Sequence, residues 1–411
     1  MKKKIFKKEI FSRIGLVLSS AVIALGIFEL ILAYPLYYYY RGNTNFSFYS
    51  RPLMHAIFLK DPKIGLVSPP NLNIKGNSTH TTPNAPRASY YNDIVTDEHG
   101  FRYKGKLSKP KPSGETRVFS LGGSTTYGSG SPTELTYPQQ LETLINKPDI
   151  RVINAGLGAF RSIHLLLLYK HKLRSLSPDI ITIYSGWNDF EDSMYAYWKP
   201  KHPHGHALMT QMKLGSLPFS RSALVWTLGK MYYSSKNFNR LEYVDEHQAL
   251  SQKYITTANA RGWQEEYESN IQGLIDLAKI DGVTPVIIIF PSPEFENAPE
   301  EAILFSDKDL NMVGRWEGFV LFLRNIRKIQ RELAAKNDIP LIDVNAPFEK
   351  MNGDYKEKFK LFKDRMHLTS EGNKLIAETM LEPILKVSEE RSGRILEVHE
   401  GLTIDNSLLG N

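Results

Sequence analysis

From residue 117 onward, short apolar runs alternate with stretches of helical period. Arg117-Val-Phe-Ser-Leu121 is a short apolar run closed by Gly122-Gly123, which predicts a strand and then a turn. Tyr137 to Ile145 has helical spacing, and Arg151-Val-Ile-Asn154 is a second short strand. Ser162 to Ser175 predicts a helix that stops near Pro178, and Asp179-Ile-Ile-Thr-Ile-Tyr184 a third strand. A helix around Trp263–Lys279 leads to a fourth strand, Thr284-Pro-Val-Ile-Ile-Ile-Phe290. Phe319 to Lys336 is amphipathic, Ile339-Pro-Leu-Ile-Asp343 is a fifth strand, and a last helix runs from about Ser370 to Val387. Strands alternating with helices predict a five-stranded parallel sheet covered on both faces, with function gathered at the carboxyl ends of the strands.

Two stretches break this rhythm. Residues 190–260 are aromatic and basic without a clear period, and residues 292–316 are acidic and loop-like. Both follow strand ends, which puts both beside the predicted crevice. Residues 69–92, rich in Pro, Asn, Ser and Thr, read as a surface connector. The expected layout is a basic N-terminus (1–13), a membrane anchor (14–40), a connector (41–91), a catalytic domain (92–388) with an insertion at about 190–260, and a tail (389–411).

The anchor rests on hydropathy. Ile14 to Tyr34 is apolar except for glycines, Ser19, Ser20 and Glu29, and it is long enough for a helix to cross a hydrocarbon core of ~30 Å. Tyr34 and Tyr37 to Tyr40 crowd its far end as an interfacial belt would. The net charge of +7 sharpens the picture, because five of those charges are the surplus of Lys2, Lys3, Lys4, Lys7, Lys8 and Arg13 over Glu9. Positive charge on that flank puts the N-terminus in the cytoplasm and the body outside, on a single-pass protein of a bacterial-type cell membrane. A cleaved signal peptide is the competing reading, but no small-x-small cleavage site follows. The remaining body is nearly neutral and carries no nucleic-acid footprint.

Composition excludes further classes. The chain has no cysteine, which rules out disulfides, Cys-type zinc sites and thiol nucleophiles. His202, His204 and His206 alternate in a Pro/Gly loop, where histidines are usually just solvated. No metal or other cofactor is expected.

Four strand-end segments carry candidate chemistry. Ser124 follows the first strand in Leu121-Gly-Gly-Ser-Thr-Thr-Tyr-Gly128, where glycines permit a sharp turn that exposes a nucleophile. A polar turn or helix N-cap is the ordinary alternative. The segment lacks the ending of a phosphate-binding loop, and Thr126 breaks the Gly-x-Ser-x-Gly elbow. Asp364-Arg-Met-His367 spaces a carboxylate and an imidazole so that one can orient the other, though most such pairs are surface turns. Gly186-Trp-Asn-Asp189 offers the Asn188 amide to an oxyanion, or is a common Asn-Asp turn. Asn154-Ala-Gly-Leu-Gly-Ala-Phe160 is a small-residue turn able to present backbone N–H groups, or a plain strand-to-helix turn.

Taken in order, these segments resemble the SGNH/GDSL hydrolase superfamily over roughly residues 92–388. The resemblance implies a flavodoxin-like three-layer α/β/α sandwich. It makes Ser124 the nucleophile, His367 the base, and Asp364 the group that orients His367. The oxyanion donors it implies are the Ser124 N–H, the Asn188 amide and a backbone N–H at Ala159, with Gly158 just before it. Gly123 stands where the name-giving motif has Asp, a variant that resembles envelope members of the superfamily. Asp97-Glu-His-Gly-Phe-Arg102 likewise resembles a segment that leads into the domain of membrane-anchored members.

The expected activity is hydrolysis of acyl esters, above all O-acetyl esters of envelope glycans, through an acyl-enzyme. The rival readings are a glycan O-acyltransferase, a lipid esterase or thioesterase, and a non-catalytic scaffold of the same fold. The expected substrate is thus an acylated glycan or a lipid ester. Tyr195-Ala-Tyr-Trp198 could stack on sugars, or be packing for the insertion.

Overall fold

The five apolar runs pair into one parallel sheet in a computed structural model of the chain, which describes residues 59–74, 93–198, 255–309 and 316–402 and a few positions between 19 and 27. Two short antiparallel pairs come first: β1 (Leu59–Asp61) with β2 (Gly65–Val67), and β3 (Asn73–Ile74) with β4 (Ile94–Val95). The sheet contains β5 (Thr116–Gly122), β6 (Ile150–Asn154), β7 (Ile180–Tyr184), β8 (Thr284–Ile289) and β9 (Leu341–Asp343), in the order β6-β5-β7-β8-β9. Its register places Val118 opposite Val152 and Ile180, Thr182 opposite Val286, and Ile288 opposite Ile342. Every residue of β7 is buried, as expected of a strand with helices over both faces.

The helices are α1 (Ser124–Tyr127), α2 (Tyr137–Ile145), α3 (Ser162–His171), α4 (Trp187–Trp198), α5 (Arg261–Ile280), α6 (Glu300–Asp309), α7 (Trp316–Asn337), α8 (Ala346–Glu349), α9 (Tyr355–Lys360) and α10 (Ser370–Leu402). They fall into two sets. α2 packs on β6 and on α10, whereas α5 joins α3 to α7 and shares β8 with α7. Right-handed crossovers require this split, because β6 lies on one side of β5 and β7 on the other. The chain reverses direction across the sheet between β5 and β7, which opens a crevice at their carboxyl ends.

An aromatic cluster holds the start of α4. Phe190 stacks on Phe322 at 4.3 Å and meets Trp263 edge-on at 5.8 Å, while Trp187 stacks on Phe319 at 5.0 Å. Burying each such ring contributes roughly 2–3 kcal/mol, so the first turn of α4 is held firmly.

Three expectations change. Residues 187–198 form a helix, so Asn188 lies in its first turn and not in a Gly-x-Asn-Asp loop ahead of the insertion. The stretch 292–316 contains α6, which begins where Ala302 N donates to Pro299 O at 2.9 Å and follows no apolar period. The last helix runs on to Leu402, through the start of the supposed tail, and Arg391 ties it to Asp179 at 3.3 Å.

The proposed transmembrane helix lies almost entirely outside the described residues. Ser19, Ser20, Ile23, Ala24, Gly26 and Ile27 are helical and exposed, and among the described residues no helix is long and apolar enough to cross a membrane. His202, His204, His206 and most of the 190–260 insertion also lie outside the described residues.

Candidate active site

Ser124 opens α1 directly after β5, in a turn where Gly122 leaves no room for a side chain. A Cβ on Gly122 would stand 2.7 Å from the Tyr184 carbonyl oxygen and closer still to the Thr126 hydroxyl. A Cβ on Gly123 would stand 2.5 Å from the Asn188 amide nitrogen. A side chain at position 123 would therefore meet the end of the Asn188 side chain, which would have to shift to make room for it.

The loop that carries His367 is closed on itself. Phe362 and Leu368 form a bridge across it, and Lys363 N donates to His367 O at 2.7 Å. Asp364 Oδ1 accepts from Met366 N at 2.9 Å and His367 N at 2.8 Å, which curls the chain so that the imidazole returns to its own carboxylate. His367 Nδ1 lies 2.8 Å from Asp364 Oδ2. An ionised carboxylate only accepts, so Nδ1 carries the proton and Nε2 is left as an acceptor. Nε2 lies 2.8 Å from Ser124 Oγ. Thr125 Oγ1 donates to Met366 O at 3.3 Å, and Lys363 Nζ to Gly130 O, so the two loops are joined on either side of the site.

Asn188 donates one amide hydrogen to Phe160 O at 2.8 Å. Its second N–H remains beside Gly123. Gly158 and Ala159 form the turn leading into Phe160, and neither lines the cleft around Ser124. Ala159 has φ 62°, the left-handed conformation natural to glycine. Alanine adopts it at a cost of ~1–2 kcal/mol, so the turn keeps its shape without the glycine.

Asp189 looked like half of a turn, yet it is buried and binds the start of α3. Its carboxylate accepts from Ser162 N at 3.0 Å and from Ser162 Oγ at 2.5 Å. Asn270 Nδ2 in turn donates to Ser162 Oγ at 3.0 Å. Burial pushes the Asp189 carboxyl up to about 6, against the opposing pull of the Ser162 hydrogen bonds. This clamp fixes the 155–161 loop against α4, and with it the Phe160 carbonyl that aims Asn188.

Arg102 does similar work on the Ser124 side. Its buried guanidinium donates to Tyr127 O at 2.6 Å, Gly128 O at 2.9 Å and Asp93 O at 3.2 Å, and it lies over the Tyr127 ring. The sequence marks Arg102 only by the resemblance of the 97–102 segment, since its partners are carbonyls and a hydroxyl from other segments.

The cleft is lined by Ser124, Phe160, Tyr184, Trp187, Asn188, Phe290 and Met366, and holds only about 20 Å³ of free volume. A single water needs ~10–15 Å³ by that measure. A larger hollow of about 670 Å³ surrounds Asp179, Asp281 and Arg391 at the amino ends of β7 and β8. Its carboxylates are already taken, Asp281 by Arg174 at 2.6 Å and Asp179 by Lys111 at 2.6 Å, and it lies at the wrong end of the strands for this chemistry.

Residues 120–375 match the family described as GDSL-like lipase/acylhydrolase. No curated protein matches the chain in sequence. Among solved structures it is similar to the acetyl xylan esterase AlAXEase, at 18% identity over 65% of this chain and 99% of that one, with a TM-score of 0.39. It is similar to an acetylxylan esterase from Geobacillus stearothermophilus at 16% identity, over 65% and 93% of the two chains, with a TM-score of 0.36. A GDSL-like lipase from Bacteroides thetaiotaomicron is also similar, at 16% identity over 68% and 92%, with a TM-score of 0.36.

Proposed function

The chain belongs to the GDSL-like lipase/acylhydrolase family and is a serine ester hydrolase, and on that premise we propose that it removes short acyl groups, acetyl above all, from envelope glycans through a Ser124–His367–Asp364 triad. The observation that carries this reading is His367, 2.8 Å from Ser124 Oγ on one side and 2.8 Å from Asp364 Oδ2 on the other.

In this mechanism Ser124 Oγ attacks the ester carbonyl as its proton passes to His367 Nε2. Asp364 holds the imidazolium that forms. The Ser124 N–H and the second N–H of Asn188 receive the oxyanion. The ester C–O bond then breaks, and His367 returns the proton to the departing hydroxyl. Water, activated by the same imidazole, attacks the acyl-enzyme and regenerates Ser124. A free volume of about 20 Å³ beside Ser124, walled by Phe160, Tyr184 and Phe290, favours a short acyl chain. The apolar run 14–34 and its basic flank support an anchor that holds the body outside the cell membrane.

The test is a p-nitrophenyl ester series from acetate to palmitate, with Ser124→Ala beside the wild type and fluorophosphonate labelling of both. Activity should peak at acetate and, like the label, disappear in Ser124→Ala. A peak at palmitate would make the protein a lipid esterase. Labelling without hydrolysis, relieved by added sugar acceptor, would make it a transferase.

A further inference from the structure

Arg365 stands inside Asp364-Arg-Met-His367, and its side chain leaves that loop for α4. Its Nη2 donates to Glu191 Oε1 at 2.7 Å. Its guanidinium carbon lies 5.2 Å from the centre of the Trp187 ring and 4.8 Å from that of Phe319, and these two rings stack on each other at 5.0 Å. A planar guanidinium can lie over aromatic rings and still present its edge to a carboxylate, which an ammonium cannot do. The Arg365 and Glu191 side chains are 15% and 26% exposed, so water screens the pair only in part.

The place of this pair matters more than its strength. Glu191 is three residues beyond Asn188, on the same side of α4. Trp187 and Asn188 line the cleft together with Met366, the chain neighbour of Arg365. One side chain thus links the loop that carries His367 to the helix that carries Asn188. The other printed ties of each run elsewhere. Asp364 Oδ1 folds the loop on itself, and Met366 O and Lys363 Nζ join it to the segment after Ser124. The start of α4 is held by its aromatic cluster and by the bond of Asp189 to Ser162.

We infer that Arg365 and Glu191 are a positioning pair that docks the His367 loop on α4 and so sets the imidazole relative to the oxyanion donor Asn188. This rests on the triad reading above. Neither side chain touches the ester, and both act through His367. The step most exposed to their loss is the second proton transfer. His367 Nε2 takes the Ser124 proton as Oγ attacks, and must hand it to the departing oxygen as the ester C–O bond breaks. That oxygen is placed by the bound ester, which the oxyanion donors hold. A loop that drifts from α4 carries the imidazole away from it, even while Thr125 keeps the loop beside Ser124. A leaving group that is stable as an anion departs without the proton, and an alkoxide does not.

The test uses the full-length chain as wild type, Glu191→Met, Arg365→Met, the double variant and Arg331→Met. The last breaks an ion pair of the same 2.7 Å length, between α7 and Asp343, and is the control for losing a charge pair as such. kcat/KM is measured on the acetates of p-nitrophenol, phenol, trifluoroethanol and ethanol, with urea midpoints beside it. Each single variant should lose activity progressively along that series, by about tenfold at the poorest leaving group the wild type cleaves. The double variant should lose no more than the worse single, because the two side chains make one link, and Arg331→Met should follow the wild type. Equal losses along the series, losses that multiply in the double variant, or no loss in a folded variant would overturn the pair and leave the esterase standing. Fluorophosphonate labelling separates the pair from the reading it rests on. A wild type labelled at Ser124 that hydrolyses no ester ends the esterase reading. The pair is then upheld by a severalfold slower labelling of Glu191→Met and refuted by an unchanged one. A wild type that takes no label overturns triad and pair together.

Discussion

At the scale of single residues, the site depends on who stands next to whom. Asn188 is the instructive case. One of its amide hydrogens is spent on Phe160 O at 2.8 Å, and the proposed mechanism gives the other to the oxyanion. Asn188→Ala should lower kcat on p-nitrophenyl acetate by ~10²–10³ with KM little changed, since such a donor acts mainly in the transition state. Steady-state kinetics decide it, and a purely KM-based loss would show that Asn188 only binds substrate. Ser124 was readable as chemistry because it follows a glycine break in an apolar run, and Asp364 and His367 because three residues separate a carboxylate from an imidazole. Gly123 was readable only as a departure from a motif. What stands near it, an amide 2.5 Å from where a Cβ would stand, belongs to the contact with α4.

At the scale of elements, the catalytic loops are held by buried polar side chains. Asp189 joins α4 to α3 through Ser162, and burial holds its carboxyl up at about 6, above the 3.8 of a free Asp. The folded state therefore binds the proton more tightly than the unfolded chain. The contribution of Asp189 to stability is fully present below about pH 4 and is lost as pH rises through about 6, a swing on the order of 3 kcal/mol. Urea denaturation of wild type and Asp189→Asn should show the wild type gaining relative to the variant as pH falls from 7 to 4. A pH-independent difference would mean that Asp189 titrates normally. The helix α6 and the continuation of α10 past Val387 were missed for one reason. Neither presents a full apolar stripe, and periodicity detects only helices that bury one face.

At the scale of the whole molecule, the strand order carries the function. The reversal between β5 and β7 brings Ser124, at the end of one strand, beside Asn188, just past the end of the other. His367 reaches Ser124 from a loop 243 residues further along the chain. If residues 14–34 anchor this body, the full chain should stay with membranes through alkaline carbonate extraction. External protease should then digest the body and spare the basic N-terminus. Release by carbonate would remove the anchor from the account.

The sequence by itself determined the five strands, the amphipathic helices packed on them at 137–145, 162–171, 261–280 and 316–337, and three of the residues brought together at the centre of the site. Those features are local: apolar runs bounded by turn residues, and a carboxylate three residues from an imidazole. Only the tertiary structure decided what Asn188 donates to, how near it lies to Gly123, how small the cleft is, and that Arg365 reaches Glu191. Each of these depends on distances between segments far apart in the chain, and such distances are set by packing, which no local pattern of residues encodes.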